Sequence, residues 1–201
     1  MTYGKRLLDL VVAAVGLLVA WPLGIFIPLL IKLDDGGPVF FRQERIGRRG
    51  RPFLMWKFRS MRQAGEREQL LTVGGDPRIT RVGRWLRELK LDELPQIVHV
   101  LLGQMTLVGP RPEVAKYVRL YTPRQQEILE LVPGITGPAS LRFWDEAKIL
   151  ARSHDPEQTY VRQIMPEKIR IHLEYAARAG AWTDFRLVLL TIFHLWPKSR
   201  P

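Results

Sequence analysis

The 201-residue chain has no cysteine. That excludes a disulfide scaffold, a thiolate zinc site, an iron–sulfur cluster and a cysteine nucleophile. The sequence also has no GxxxxGK[ST] phosphate loop, no HExxH, no GxSxG and no GxGxxG opening a helix. These absences argue against a P-loop enzyme, a zincin and a serine hydrolase. Its four histidines, His99, His154, His172 and His194, do not cluster, and no repeat or low-complexity tract is present. Acidic residues are in deficit: 20 Asp+Glu face 31 Lys+Arg, a formal charge of +11. Such a balance calls for an anionic partner, whether nucleic acid, an acidic membrane surface or a phosphorylated substrate.

Charge is missing altogether from one stretch. Leu10 to Ile31 runs roughly 22 residues without an ionisable group, long enough to cross a bilayer. Removing residues 1–32 takes away Lys5, Arg6, Lys32 and Asp9 and leaves 28 basic and 19 acidic groups, or +9. The positive field therefore belongs to the remainder, and residues 1–33 and 34–201 read as anchor and polar domain. The run is too long for a signal peptide and ends in LIKLDDGGP. A straight transmembrane helix and a re-entrant hairpin both remain open. Pro22 and Pro28 interrupt its second half. Basic residues flank both ends, Lys5 and Arg6 before, Lys32, Arg42 and Arg45 after, as on cytoplasmic faces. A break at Trp21-Pro22 would leave two arms, each roughly 18 Å long, too short to span. These features tilt the reading toward the hairpin.

Beyond the anchor, GGPVFFRQER and RPFLMWKFRSM read as a β-hairpin around Gly47 to Gly50, and the stretch around residues 73–77 as a loop. A helix is predicted over Ile79 to Leu91, another after Asp92-Glu93-Leu94-Pro95 ending near Gly103. Thr122-Pro123-Arg124-Gln125 is a capping box, Asp155-Pro156 starts a further helix, and Pro166 to Ala179 carries helical spacing. The closing AWTDFRLVLLTIFHLWP, bracketed by Trp182 and Trp196, reads equally as an interfacial helix or a buried core helix.

Four groups of residues are candidates for chemistry. An Asp at a helix start, where free N–H groups favour the ionised carboxylate, can serve as nucleophile or magnesium ligand, though an Asp before a proline-containing first turn, as Asp92 is, is usually just an N-cap. Pro110 and Pro112 hold Arg111 between fixed φ angles, which suits a guanidinium gripping phosphate or simply a rigid turn. Lys57 and Arg59 alternate along a presumed strand and aim to one face. Arg78, Arg81, Arg84 and Arg87 recur every three residues as a basic ridge, solvated or facing anionic lipid.

RITRVGRWLRELKLDELPQIVHVLLGQMTLVGPRPE, with WKFRSM before it and VPGITGPAS after it, resembles the bacterial sugar transferase family, the monotopic phosphoglycosyl transferases. The resemblance covers nearly the whole chain. It implies an α-rich α+β fold: a re-entrant membrane helix, a small β-hairpin and a helical catalytic domain with interfacial amphipathic helices. The implied location is the cytoplasmic face of the bacterial inner membrane, and the implied length is that of the minimal catalytic form. The implied reaction is magnesium-dependent and ping-pong. Asp92 attacks the sugar-proximal phosphate of a UDP-sugar, releases UMP and passes the phosphosugar to polyprenyl phosphate. By the same resemblance Glu93 assists at the metal or in proton handling, with Asp92 also touching the metal. Arg111 with Pro110 and Pro112 holds the nucleotide phosphates, and Lys57, Arg59 and Arg87 neutralise phosphate. Such chemistry needs positioning and charge cancellation above all. Many members carry Ser-Pro at the membrane-helix break, where this chain has Trp21-Pro22.

The expected partners are thus a UDP-sugar, polyprenyl phosphate and membrane lipid, with no nucleic acid; a homodimer is left open. The alternative class is a membrane-tethered nucleic-acid binder, motivated by the basic domain. It leaves Asp92-Glu93 and Arg111 without a role. A transferase that passes only the sugar and releases UDP, and a non-catalytic assembly partner, are further rivals.

Overall fold

A computed structural model of the chain describes residues 3–62, 71, 73 and 76–195. Helix α1 (Tyr3–Asp35) contains both Pro22 and Pro28 and stays helical past each. By length and composition it is long and apolar enough to cross a membrane. Asp9, Ala13, Ile27 and Ile31 are buried, and with half-buried Gly16 and Leu23 they repeat at helical spacing along the whole element. That stripe packs on the rest of the chain, while Leu18, Val19, Trp21, Phe26 and Leu33 on the other side are exposed.

Both charged ends of α1 are tied down. At its start Lys5 donates to the Val108 carbonyl (2.8 Å) and pairs with Asp184, and Arg6 donates to the Val100 carbonyl (2.7 Å). Asp9 accepts from Thr106 Oγ1 (2.6 Å) and the Leu107 N–H (3.0 Å). At its end Asp34 accepts from the Val82 N–H (3.1 Å), and Asp35 pairs with Arg59.

The expected hairpin is present. Strands β1 (Phe40–Ile46) and β2 (Pro52–Phe58) pair antiparallel, with Phe41 opposite Lys57, around a turn in which Arg49 and Gly50 adopt positive φ. Helix α2 (Arg81–Glu88) begins two residues later than predicted because Thr80 caps it, accepting from the Gly83 N–H. A Cβ on Gly83 would lie 1.9 Å from the Ser60 carbonyl oxygen, so only glycine lets α2 cross the end of the hairpin this closely. Lys90 takes the left-handed conformation (φ 55°) and ends α2. A 3₁₀ turn, Leu91–Glu93, then leads into α3 (Gln96–Leu101), which Gly103 closes at φ 78°.

Two three-residue strands follow that the sequence did not announce. β3 (Thr106–Val108) and β4 (Gly134–Thr136) pair in parallel, the second reached through α4 (Ala115–Val118) and α5 (Pro123–Gln126). The capping box at Thr122 forms as read. Helices α6 (Pro138–Arg142), α7 (Glu146–Ala151), α8 (Pro156–Thr159) and α9 (Met165–Ala176) complete the helical part, with one π turn, Tyr160–Ile164, before α9. Asp155 caps α8 as expected. The last helix, α10 (Ala181–Leu195), sets Leu187 and Val188 against α1 and β3 and leaves Trp182, Ile192 and Phe193 exposed. Trp196, and Gly74 and Gly75 of the stretch around residues 73–77, lie outside the described residues. The fold is helix-rich with small two-stranded sheets, and among the described residues α1 contributes to two of the three apolar clusters.

Candidate active site

Asp92 and Glu93 occupy the tight turn between α2 and α3, directly under the hairpin. Successive side chains of this turn diverge, and the two acids meet different surroundings. Glu93 turns toward β2 and the loop after β3. Its Oε1 takes Lys57 Nζ at 3.2 Å and Arg111 Nη2 at 2.5 Å, while Oε2 takes Arg111 Nη1 at 3.1 Å. This is a bidentate guanidinium–carboxylate pair with a second cation beside it. Burial alone would raise the Glu93 pKa, but Arg111 and then Lys57 outweigh it and hold the carboxyl well below its ordinary range.

Asp92 is 5% exposed, and its Oδ1 is buried with no hydrogen-bond partner. Its pKa is raised, first by burial and then by the neighbouring Glu93 charge, against the pull of Lys57, Arg87 and Lys90. A helix start would lower this pKa, but the observed direction is upward. α3 begins only at Gln96, and loss of water outweighs what the turn supplies. One turn on, buried Gln96 has an Nε2 that is likewise without a partner. A buried acceptor and a buried donor, both unsatisfied, are what a polar ligand would complete.

The structure brings Lys57, Arg87 and Arg111 around the acids, as their electrostatic effects on Asp92 or Glu93 show. Lys57 pays for its burial with a pKa lowered to about 8, despite the opposing pull of Glu93. Pro110 and Pro112 are buried on either side of Arg111, and each carbonyl accepts a hydrogen bond, from the Gly134 N–H (2.8 Å) and Arg45 Nη1 (3.2 Å). Arg59 is elsewhere. β2 ends at Phe58, so strand alternation stops there; the Arg59 N–H pairs with Val39 and its guanidinium holds Asp35 and the Pro38 carbonyl. It fastens α1 to the hairpin. The predicted arginine ridge is also not one face: Arg78 precedes α2 and closes on Asp76 (2.6 Å). Trp21 is exposed and Pro22 half-buried within an uninterrupted α1. Sequence reading missed Lys90 and Gln96, whose one signal was their position two residues before and four after Asp92.

A magnesium ion fits this donor set in a limited way. No group of three or more His, Asp or Glu side chains suited to a metal occurs among the described residues. Asp92 Oδ1 is an unsatisfied hard oxygen, whereas both Glu93 oxygens are taken. One carboxylate plus substrate phosphates and water is a common magnesium arrangement.

The chain belongs to the bacterial sugar transferase family, whose profile matches residues 1–198. It is 37% identical over 194 residues to the UDP-glucose:undecaprenyl-phosphate glucose-1-phosphate transferase of Escherichia coli (strain K12), covering 94% of this chain and 39% of that one. A protein of the same name from Caulobacter vibrioides is 37% identical over 193 residues, 94% of this chain and 68% of the relative. The galactosyl transferase CpsE of Streptococcus agalactiae is 36% identical over 200 residues, 94% and 41% respectively. The chain thus spans about two fifths of the length of two of these relatives. Nothing in these relatives' names points to nucleic-acid binding.

Proposed function

We propose that the protein transfers a sugar 1-phosphate from a UDP-sugar to polyprenyl phosphate, with release of UMP, through a phosphosugar carried on Asp92. The observation that carries this reading is the contrast within the dyad: Glu93 is saturated by cations, whereas Asp92 keeps a buried oxygen with no partner. Family membership and the activities named for the relatives support it.

In the first half-reaction an Asp92 carboxylate oxygen attacks the phosphorus that bears the sugar. The bond from that phosphorus to the oxygen bridging to UMP breaks, UMP leaves with the electron pair, and an acyl phosphate remains on Asp92. In the second, a phosphate oxygen of polyprenyl phosphate attacks the same phosphorus and restores the carboxylate. Lys57 and Arg111, held in place by Glu93, and Arg87 and Lys90 around Asp92 offset the charge of the diphosphate. Magnesium held by Asp92 and the donor phosphates would supply further charge neutralisation. Burial and Glu93 raise the Asp92 pKa, and Lys57, Arg87 and Lys90 pull it the other way, toward the carboxylate that attacks.

The same reading places the protein at the cytoplasmic face of the bacterial inner membrane, with α1 entering and leaving by one face and α10 at the interface. Support comes from the anchoring of both charged ends of α1 on one body, and from the exposed Trp182, Ile192 and Phe193 of α10. Relatives are named for both glucose and galactose, so both UDP-sugars belong in the first assay.

The test is product analysis in nanodiscs with magnesium, undecaprenyl phosphate and a panel of UDP-sugars. UMP release is expected, and Asp92→Asn should lower it by at least about 10³-fold while leaving the protein folded. UDP release would move the protein to sugar-only transfer, and near-normal turnover in Asp92→Asn would remove the covalent step.

A further inference from the structure

The reaction proposed above depends on where Arg111 sits, because its guanidinium is half of what commits Glu93. Arg111 lies on a loop, Gly109 to Glu113, that contains no regular structure. The upstream half is held by the small parallel sheet: the Gly109 N–H donates to the Thr136 carbonyl (2.9 Å) and the Gly134 N–H to the Pro110 carbonyl (2.8 Å). The downstream half is held by Glu113 itself and by side chains drawn from two distant parts of the chain.

Arg45, on β1, donates through Nη1 to the Pro112 carbonyl and to Glu113 Oε1, both at 3.2 Å. Its Nη2 is braced by Gln43 Oε1 at 2.6 Å, and the Ile46 N–H adds a backbone bond to the Glu113 carbonyl (2.8 Å). Glu113 also accepts from the Val114 N–H (2.8 Å) and, through Oε2, from the Tyr160 hydroxyl. Tyr160 is 4% exposed and opens the π turn before α9, a local widening of the helix that is common at functional sites. Its ring packs against Tyr117 with centroids 5.0 Å apart, and Lys168 Nζ lies 5.3 Å above it. Burial first, and then Glu113, keep the Tyr160 phenol protonated and able to donate.

We propose that Arg45, Glu113 and Tyr160 are positioning residues for the reaction: together they clamp the Pro112–Glu113 end of the loop and thereby set the angle at which Arg111 meets Glu93. None of the three need touch the substrate. Arg45 from β1 and Tyr160 from the π turn, far apart in sequence, converge on the Glu113 carboxylate at the end of the Arg111 loop, so loss of either leaves part of that carboxylate unpaired. Bidentate pairs depend strongly on orientation, so a loosened loop leaves Arg111 present but misaligned.

This inference rests on the proposed function for its activity readout, so the test pairs that readout with one independent of turnover. Tyr160→Phe removes one donor and keeps the ring. Its kcat for UMP release should fall about 10- to 100-fold with the thermal midpoint little changed. In an Arg111→Lys background the same substitution should change kcat less than about 2-fold, because both act through one contact. Equal fold-losses in the two backgrounds would overturn the assignment. The independent readout is the nitrogen-15 NMR spectrum of the Arg111 guanidinium in nanodiscs, since its two nitrogens are fixed on Glu93. Tyr160→Phe should shift or broaden those signals, and a guanidinium spectrum identical to that of the parent protein would overturn the clamp whether or not any UDP-sugar is turned over. Should Tyr160→Phe fail to fold, Arg45→Lys and Glu113→Gln carry the same two measurements. A normal clamp signature with no UMP release would instead sink the transferase reading alone.

Discussion

Two neighbouring carboxylates, Asp92 and Glu93, are driven in opposite directions by what each one faces. Glu93 loses water but gains Arg111 and Lys57; Asp92 loses water and gains a like charge beside it. Separated pKa values of this kind assign separate tasks, one group as fixed counter-charge and one as reacting group. Lys57 gives the arrangement an upper pH limit. With its pKa lowered to about 8 by burial, it loses charge as the solution becomes more alkaline. The kcat/KM for UDP-sugar should therefore fall above pH 8, and a pH profile of Lys57→Arg should show that limb displaced to higher pH. His172 sets a different limit, on stability. Burial, and then Lys168, hold its folded pKa near 4 against an ordinary 6.5, and its Nδ1 has no partner. The unfolded chain takes up a proton that the folded chain refuses. Stability is thus intact above pH 6.5 and declines as pH falls toward 4, by about 1.4 kcal/mol per unit. Urea titrations at several pH values should show this slope, and His172→Phe should abolish it.

Among the elements, β3 and β4 are the shortest and the most consequential. Three residues each, they align Val108 so that the following loop delivers Arg111 to Glu93. Their approach leaves no room for a side chain: a Cβ on Gly134 would stand 2.1 Å from the Gly109 nitrogen and 2.6 Å from its Cα. Both are backbone atoms and cannot rotate aside. Gly134→Ala should cost about 1–3 kcal/mol in stability. It should also lower turnover by more than the stability loss explains, since the displaced backbone is the base of the Arg111 loop. Thermal melts and initial rates on one preparation check both.

Across the whole molecule the long helix is a part of the core and an apolar surface at once. Its packed stripe joins two apolar clusters, and its charged ends engage β3 and α10 at one end and the hairpin and α2 at the other. A straight crossing would put those two ends on opposite sides of a bilayer and pull one of them from the body. Labels placed at residue 2 and at residue 37 should both react from the cytoplasmic side only. Reaction of the first from the periplasm would establish a straight span.

The local elements were legible because their signals are local. Thr122 and Asp155 cap the helices they were read to cap, Gly103 ends α3, and β1 and β2 form where Val, Phe and Trp concentrate. The Asp92-Glu93 pair and the proline-flanked Arg111 were also legible as candidates, from residue type and spacing alone. Local pattern alone thus revealed the hairpin, most of the helices, the apolar α1 and the residues able to do phosphate chemistry. Tertiary structure alone decided which of them meet. Strands of three residues carry too little periodicity to announce a parallel pair between residues 106 and 136. Strand alternation aimed Arg59 with Lys57, but the strand ends one residue too soon and Asp35, 24 residues upstream, claims the guanidinium. The direction in which the Asp92 pKa moves depended on burial and, among the cations, on Lys57 brought in from β2, and such contacts exist only once the chain has closed.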